Sequence, residues 1–550
     1  MRCCSIRTCD CYRFASKEAW FELTFVRTEI ANKLAGGFSG LLAGMLLTFF
    51  GAEGANMQRS GVALKLADGS HHHVFMKLGS FLADEAALHF GYCNKGASGL
   101  KPCVLCANVF NSKVRRDIVE GDATGRAQHH TTHDATKLIL HTPESITTIL
   151  RRLQAAHGNL TVRDFDELQT TMGWTYSPDG VMWNPVIRPI IEPSATATFD
   201  WMHIIFVHGV FGVHMGQVMW RLKPEGVTYE KMHDFLQKFN WAKQHSKNCG
   251  KSTCIPKRAR ACWSDVVFKC TASEGLSLIP VISRYFTEFV HQVPAPSIVA
   301  KGIVANLMQL VHIVHLILKS SRSSVSPVNL QNAIKDYLHG YKNLHGEDTM
   351  IIKFHLLLHL PAHLKKYGFL PNCFVHERKH KGSKKYANHN TNTSSDWDGC
   401  LLRDVTCHHL TALQNENHFA SEIALLHPYT PSAKVMSALS GQFGPASYLV
   451  SKAARTRGGD QVSDGDVVLY HDGANLCAAK IGMLVSAELH GELILVAVMD
   501  AYTHVRTTHQ NEVWKPAGRM KVCHLGHIEA ACVWCVEGDS ILTLRPAWME

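Results

Sequence analysis

The chain has 550 residues, 46% of them hydrophobic and 19% charged, which suffices for about two to four buried cores and excludes wholesale disorder. Lys and Arg outnumber Asp and Glu by 56 to 46, a net charge of +10 with histidine neutral, so a polyanionic partner is permitted but not demanded. The opening run RCCSIRTCDCYR is polar and Cys-rich rather than apolar. The expectation is therefore no signal peptide, a reducing compartment, and cysteines that serve as thiols or metal ligands rather than disulfides.

Residues 1–15 read as an unstructured leader, followed by a strand in AWFELTFV, Ala19 to Val26, and a helix from about Arg27 to Phe50. The uncharged stretch Leu34 to Phe50 falls short of the roughly 20 residues that a membrane span needs, so a buried helix and no membrane are expected. GVALKL and HHVFMKLGSFL alternate as strands do and are joined by an Asp68-Gly69 turn. At Ala83-Asp84-Glu85-Ala86 the pattern turns helical. Asp84 then suits two roles: a catalytic group at the C-terminal end of a strand, or the N-cap of the next helix. In KGASGLKPCVLCANVF, Cys103 and Cys106 supply half of a tetrahedral zinc site, with His129, His130 and His133 as candidates for the rest.

From Asp134 to about Tyr341 the chain reads as helical, with SITTILRRLQAAHG and LIPVISRYFTEFVHQV amphipathic. The segment CGKSTCIPKRARAC interrupts it. It lacks the upstream glycine and the preceding strand of a nucleotide-binding loop, and reads as a solvated basic loop able to touch nucleic acid through Lys257, Arg258 and Arg260. KFHLLLHLPAHLKKYGFL sets His355 and His359 on one helical face before Pro361 bends or restarts the helix. No HExxH accompanies them, so a metalloprotease site is unsupported. FVHERKHKGSKKYANH then places a single acid, Glu377, among basic residues. More helix follows to about Arg457. From residue 458 short alternating runs broken by Asp-Gly and His-Gly turns predict a separate small all-β domain, an SH3-like barrel. Within it Cys523, His524, His527, Cys532 and Cys535 have the composition of a zinc cluster, but strand alternation across CVWC favours core thiols.

Four blocks, in order, resemble cut-and-paste DNA transposases of the CACTA and Plavaka branches, with hAT elements more distant. They are FLADEAALHFGYCNKGASGLKPCVLC, FDWMHIIFVHGVFG, KFHLLLHLPAHLKKYGFL and FVHERKHKGSKK, and the resemblance covers about residues 16 to 450. It implies an α/β RNase H-like core, incomplete here, with a large all-α insertion. The partition expected is a core at 16–133 containing the CxxC loop, a helical insertion at 134–345, a helical return at 346–457 and the β domain at 458–550. Asp84 matches the family's second catalytic aspartate and Glu377 its catalytic glutamate, together holding Mg²⁺ or Mn²⁺. Asp200 and His203 match its Asp-x-x-His signature, in a structural or supporting role.

Two-metal phosphodiester chemistry explains why carboxylates are needed, since Mg²⁺ takes oxygen ligands rather than thiolates or imidazoles. By the same resemblance Lys379, Lys381, Lys384 and Lys385 would face a double-stranded DNA backbone, in a nuclear protein that forms homo-oligomers. The family's first aspartate, on an opening strand, has no counterpart ahead of AWFELTFV. The expectation is thus a truncated or decayed transposase with impaired catalysis. The alternatives are a non-catalytic DNA- or chromatin-binding remnant and a zinc-stabilised structural protein.

Overall fold

The structure, a computed structural model, describes residues 20–549 apart from 21, 25, 27, 52–55, 112, 116, 293–295, 378–383, 385, 388–396, 415–422, 458, 490–491, 509–510 and 547–548. The chain forms two compact units, each assembled from separated segments: Phe21–Val210 with Pro327–His408, and Phe211–Ser326 with His409–Glu550.

In the first unit the described residues between Trp20 and Val26 carry no regular structure, and Leu23 is exposed. Strand-like composition there finds no ladder, and a strand without a partner is not stable. Helix α1 (Gly37–Phe50) buries Ser39, Ala43, Leu46 and Phe50 along one stripe. The Ser39 hydroxyl donates to Gly91 O at 2.7 Å and accepts from Val181 N–H at 3.0 Å, which ties α1 into the interior. Strands β1 (Val62–Lys65) and β2 (His71–Val74) form the expected antiparallel hairpin, with Gly69 at φ 82° in its turn.

The third strand separates from that hairpin. β3 (Phe81–Ala83) pairs in parallel with β6 (Ala197–Phe199), Phe81 opposite Ala197 and Ala83 opposite Phe199. The long crossover between them holds two short strands, β4 (Val109–Phe110) and β5 (Gln128–His129), and the helices Pro143–Ala156 and Val162–Met172. An acid follows each of β3 and β6 and caps a helix: Asp84 opens α2 (Glu85–Tyr92), and Asp200 opens α3 (Trp201–Ile205). Later come α4 (Pro327–His345), α5 (Ile352–Leu357) and α6 (Leu360–Tyr367), with Pro361 in the first turn of α6, where its missing N–H costs nothing. Thr198 on β6 bonds Ser80 Oγ at 2.7 Å and Tyr367 Oη at 2.8 Å, so α6 is anchored beside the parallel pair.

The second unit combines helices with antiparallel sheet. Its helix Ile298–Lys319 buries Leu307, Leu310, Val314 and Ile317. Among the described residues two helical stretches, Trp201–Glu225 and Ile298–Lys319, are long and apolar enough to cross a membrane, and 72% and 56% of an apolar 18-residue window in each are buried in the protein. Strand β7 (Phe239–Asn240) belongs to the helical segment, yet pairs with β17 (Val533–Glu537), Phe239 opposite Cys535.

The remaining strands are β8 (Ala424–Leu426), β9 (Ser447–Ser451), β10 (Ala453–Arg455), β11 (Gln461–Ser463), β12 (Val467–Asp472), β13 (Asn475–Leu489), β14 (Glu492–Thr508), β15 (Asn511–His524), β16 (Ile528–Ala531) and β18 (Ser540–Leu544). A nine-stranded sheet runs β16-β12-β13-β14-β15-β18-β17-β7, with β9 beside β13. Among the described residues this order has β16 and β7 at its ends; the expectation there was a small SH3-like barrel. One core cluster includes Leu484, Ala497, Leu525 and Cys523, a second holds Cys532, and Cys535 is also buried. The units divide the chain differently from the partition at 134, 345 and 457. The β7–β17 ladder joins helical and sheet segments, and strands begin at Ala424, ahead of residue 458.

The basic stretch after Cys249 also differs from the expected loop. Pro256–Asp265 is helical, and Arg258 is committed to Glu274 through two hydrogen bonds of 2.9 Å, leaving Lys257 and Arg260 as its exposed cations.

Candidate metal centres

Among the described residues of the first unit, two clusters of ligand-type side chains form. The first joins Cys103 and Cys106 to His355 on α5 and His359 at the start of α6; all four are buried, with one donor atom of each lying within 4.8 Å of the others. His359 Nε2 stands 3.4 Å from Cys103 Sγ, 3.4 Å from Cys106 Sγ and 3.2 Å from His355 Nε2. Leu105 N–H donates to Cys103 Sγ at 3.4 Å, a bond that favours a thiolate. Burial pushes the Cys103 thiol up, but the neighbouring Cys106 thiol and the charges of His359 and His355 outweigh it and hold Cys103 well below its ordinary value. Cys106, which shares that hydrogen bond, is pushed the other way. Burial lowers the pKa of His355, with Cys103 opposing it.

Four buried donors of this kind are able to hold one metal ion. His129, His130 and His133 are not among them: His130 Nε2 lies 3.4 Å from Met350 O, and His133 packs on His339. The missing half of the set was present in the sequence as an i, i+4 histidine pair, a spacing that places both rings on one helical face.

The second cluster grows from the parallel strands. Since Ala83 and Phe199 are register partners, the next residues, Asp84 and Asp200, leave the same end of the sheet. Asp84 Oδ1 accepts from Ala87 N–H at 2.7 Å, and Asp200 Oδ1 from Met202 N–H at 3.0 Å. Asp84 is thus both a helix cap and an acid at a strand end. Asp200 is buried, and its Oδ2 accepts from His203 Nδ1–H at 2.5 Å. On the other side of the ring, His203 Nε2 faces Glu377 Oε1 at 3.7 Å.

Glu377 lies in a helical turn, its N–H donating to Cys373 O at 2.9 Å. Cys373 comes with it, and one donor atom from each of Asp200, His203 and Cys373 lies within 4.8 Å of the others. Burial first, then Asp200, Asp84 and Glu377, hold the Cys373 thiol far above its ordinary pKa. Lys353, at the start of α5, donates to Val207 O at 2.6 Å; burial lowers its pKa while Glu85, Asp84 and Asp200 favour its charge. Burial raises Glu85 despite that lysine.

The structure therefore brings Asp84, Asp200, His203 and Glu377 to one place, and adds Cys373, Lys353 and Glu85, which sequence reasoning did not single out. Of the basic residues assigned to DNA, Lys384 is exposed, while Lys379, Lys381 and Lys385 lie outside the described residues. Comparison with known proteins returned no matching family, curated protein or solved structure.

Proposed function

We propose that the chain performs metal-dependent cleavage and transfer of DNA strands, the chemistry of the transposases that it resembles, from an RNase H-like arrangement of acids. One observation carries this reading: two adjacent parallel strands end together in Asp84 and Asp200, and His203 links that pair to Glu377. A missing carboxylate was expected because the family's first aspartate has no counterpart ahead of AWFELTFV, and Asp200 was given a structural or supporting role. Its place beside Asp84 supports counting it as a metal-binding acid, which with Glu377 makes three.

Divalent ions, if held by these carboxylates, would supply charge neutralisation at phosphate and activation of water. The chain's own part is positioning. The two strand ends fix Asp84 and Asp200 through backbone caps, and Glu377, its side chain half exposed, is the acid open to a substrate. His203 is held by Asp200 in one orientation, with its second nitrogen turned towards Glu377.

At the cysteine–histidine cluster we propose structural zinc. A tetrahedral ion with Zn–S near 2.3 Å and Zn–N near 2.05 Å sets S···N edges of about 3.6 Å and N···N edges of about 3.3 Å. The observed 3.4, 3.4 and 3.2 Å fit that figure.

Nicking of supercoiled DNA with Mg²⁺ or Mn²⁺ tests the enzyme reading. Asp84→Asn, Asp200→Asn and Glu377→Gln are each expected to reduce it by about a hundredfold or more, since each removes a metal ligand. Salt-sensitive DNA binding without nicking by the unaltered chain would instead establish the alternative, a non-catalytic DNA-binding protein.

A further inference from the structure

Mg²⁺ takes oxygen ligands and dehydrates reluctantly, yet Asp200 has an imidazole and a thiol for immediate neighbours. Donors of Asp200, His203 and Cys373 lie within 4.8 Å of one another. Asp200 holds His203 Nδ1–H at 2.5 Å, which leaves Nε2 with its lone pair directed at Glu377 Oε1, 3.7 Å away. That gap is too long for a hydrogen bond, and it is bridgeable by one ion about 2.1 Å from each atom. A carboxylate that orients a ligating histidine is a recurring device of imidazole-bound metals. Cys373 precedes Glu377 by one helical turn, so both side chains belong to the same face of that turn.

We propose that the acid site is a mixed-donor metal site, with His203 Nε2, Cys373 Sγ and the carboxylate of Glu377 as ligands and Asp200 orienting His203, selecting the borderline or soft ions Zn²⁺ and Cd²⁺ of the Mg²⁺–Mn²⁺–Zn²⁺–Cd²⁺ series. Thiolate and imidazole favour the later and softer ions of that series, whereas carboxylates alone do not discriminate against Mg²⁺. The half-exposed Glu377 leaves one side of the site accessible. The consequence for strand cleavage rests on the function proposed above; the ion preference does not.

The test uses the full chain with zinc already loaded on Cys103, Cys106, His355 and His359. A calorimetric titration with Cd²⁺, followed also by thiolate-to-metal charge-transfer absorption, is expected to show one further ion per chain. Cys373→Ser is expected to remove that absorption and to lower the Cd²⁺-to-Mn²⁺ affinity ratio by about tenfold, through loss of the soft donor. Retained Mn²⁺ binding by Cys373→Ser shows that the variant is folded. His203→Gln is expected to weaken both ions by about tenfold or more. Absence of a bound Cd²⁺ in addition to the zinc, or an affinity ratio unchanged by Cys373→Ser, overturns the proposal.

The nicking assay separates the two ideas. Mg²⁺-supported nicking that is indifferent to Cys373→Ser and uninhibited by Cd²⁺ sinks the mixed-donor site and leaves strand cleavage standing. Selective binding of a second ion without nicking under any metal sinks the cleavage reading and leaves the site.

Discussion

His203 is the residue on which the acid cluster turns. Burial opposes its charge, but the hydrogen bond it donates to Asp200 and the fields of Asp200, Asp84 and Glu377 prevail and raise its pKa. A raised folded-state pKa stabilises the protein fully below the unfolded value, near 6.5, and the gain is lost as pH rises through the folded value. Without added divalent ions, the urea midpoint of the unaltered chain should therefore exceed that of His203→Gln most at acidic pH, and the gap should narrow on the alkaline side. A gap that widens with pH would contradict the assignment. Among the described residues, Lys353 is a cation beside these acids, with Glu85, Asp84 and Asp200 as its neighbours. Lys353→Ala leaves them facing one another and should destabilise the chain by about 2 kcal/mol, read from denaturant unfolding.

At the scale of elements, α5 does two things at once. Its first turn carries Lys353 to the acids and its middle carries His355 to the cysteines, with His359 following at the break before α6. The cysteine–histidine cluster thus fixes the helix that completes the acid site. Cys103→Ser, or a strong chelator, is expected to release one zinc ion per chain and to lower the melting temperature by several degrees, since binding energy at such a site is folding energy. Nicking should fall with it. Metal analysis that finds no zinc in the purified chain would remove this link. The CxxC loop, the DxxH turn and the histidine pair were each legible as local motifs, because each lies within one turn of chain. Their pairing was not: His359 meets Cys103 and Cys106 across 256 and 253 residues.

At the scale of the molecule, the C-terminal β region is not self-contained. β7 of the helical segment extends the nine-stranded sheet, β9 lies ahead of the expected boundary, and Arg322 and Lys243 of the helical segment pair with Asp460 and Asp464. A fragment of residues 458–550 alone loses β7, β9 and these partners, and its end strands are left with open edges. It is expected to show no cooperative thermal transition. A joined 211–326 and 409–550 pair is expected to unfold cooperatively, as followed by circular dichroism. Cooperative unfolding of 458–550 by itself would show that the extra strands contribute little.

What the sequence by itself determined is local. The Asp68-Gly69 hairpin, the helix that begins after Asp84, the restart at Pro361 and the alternation of the C-terminal strands are all set by residues within a few positions of one another. Only the tertiary structure decided which of these meet. β3 and β6 are three residues each, too short for any periodicity to announce, and they pair in parallel across a long crossover, β6 buried and β3 half-buried. That pairing makes Asp200 the neighbour of Asp84, so that an aspartate first read as structural becomes a member of the candidate site. Side chains of metal-ligand type can be listed from a sequence, but a binding site requires their donor atoms within a few ångströms, and chain folding alone sets that distance.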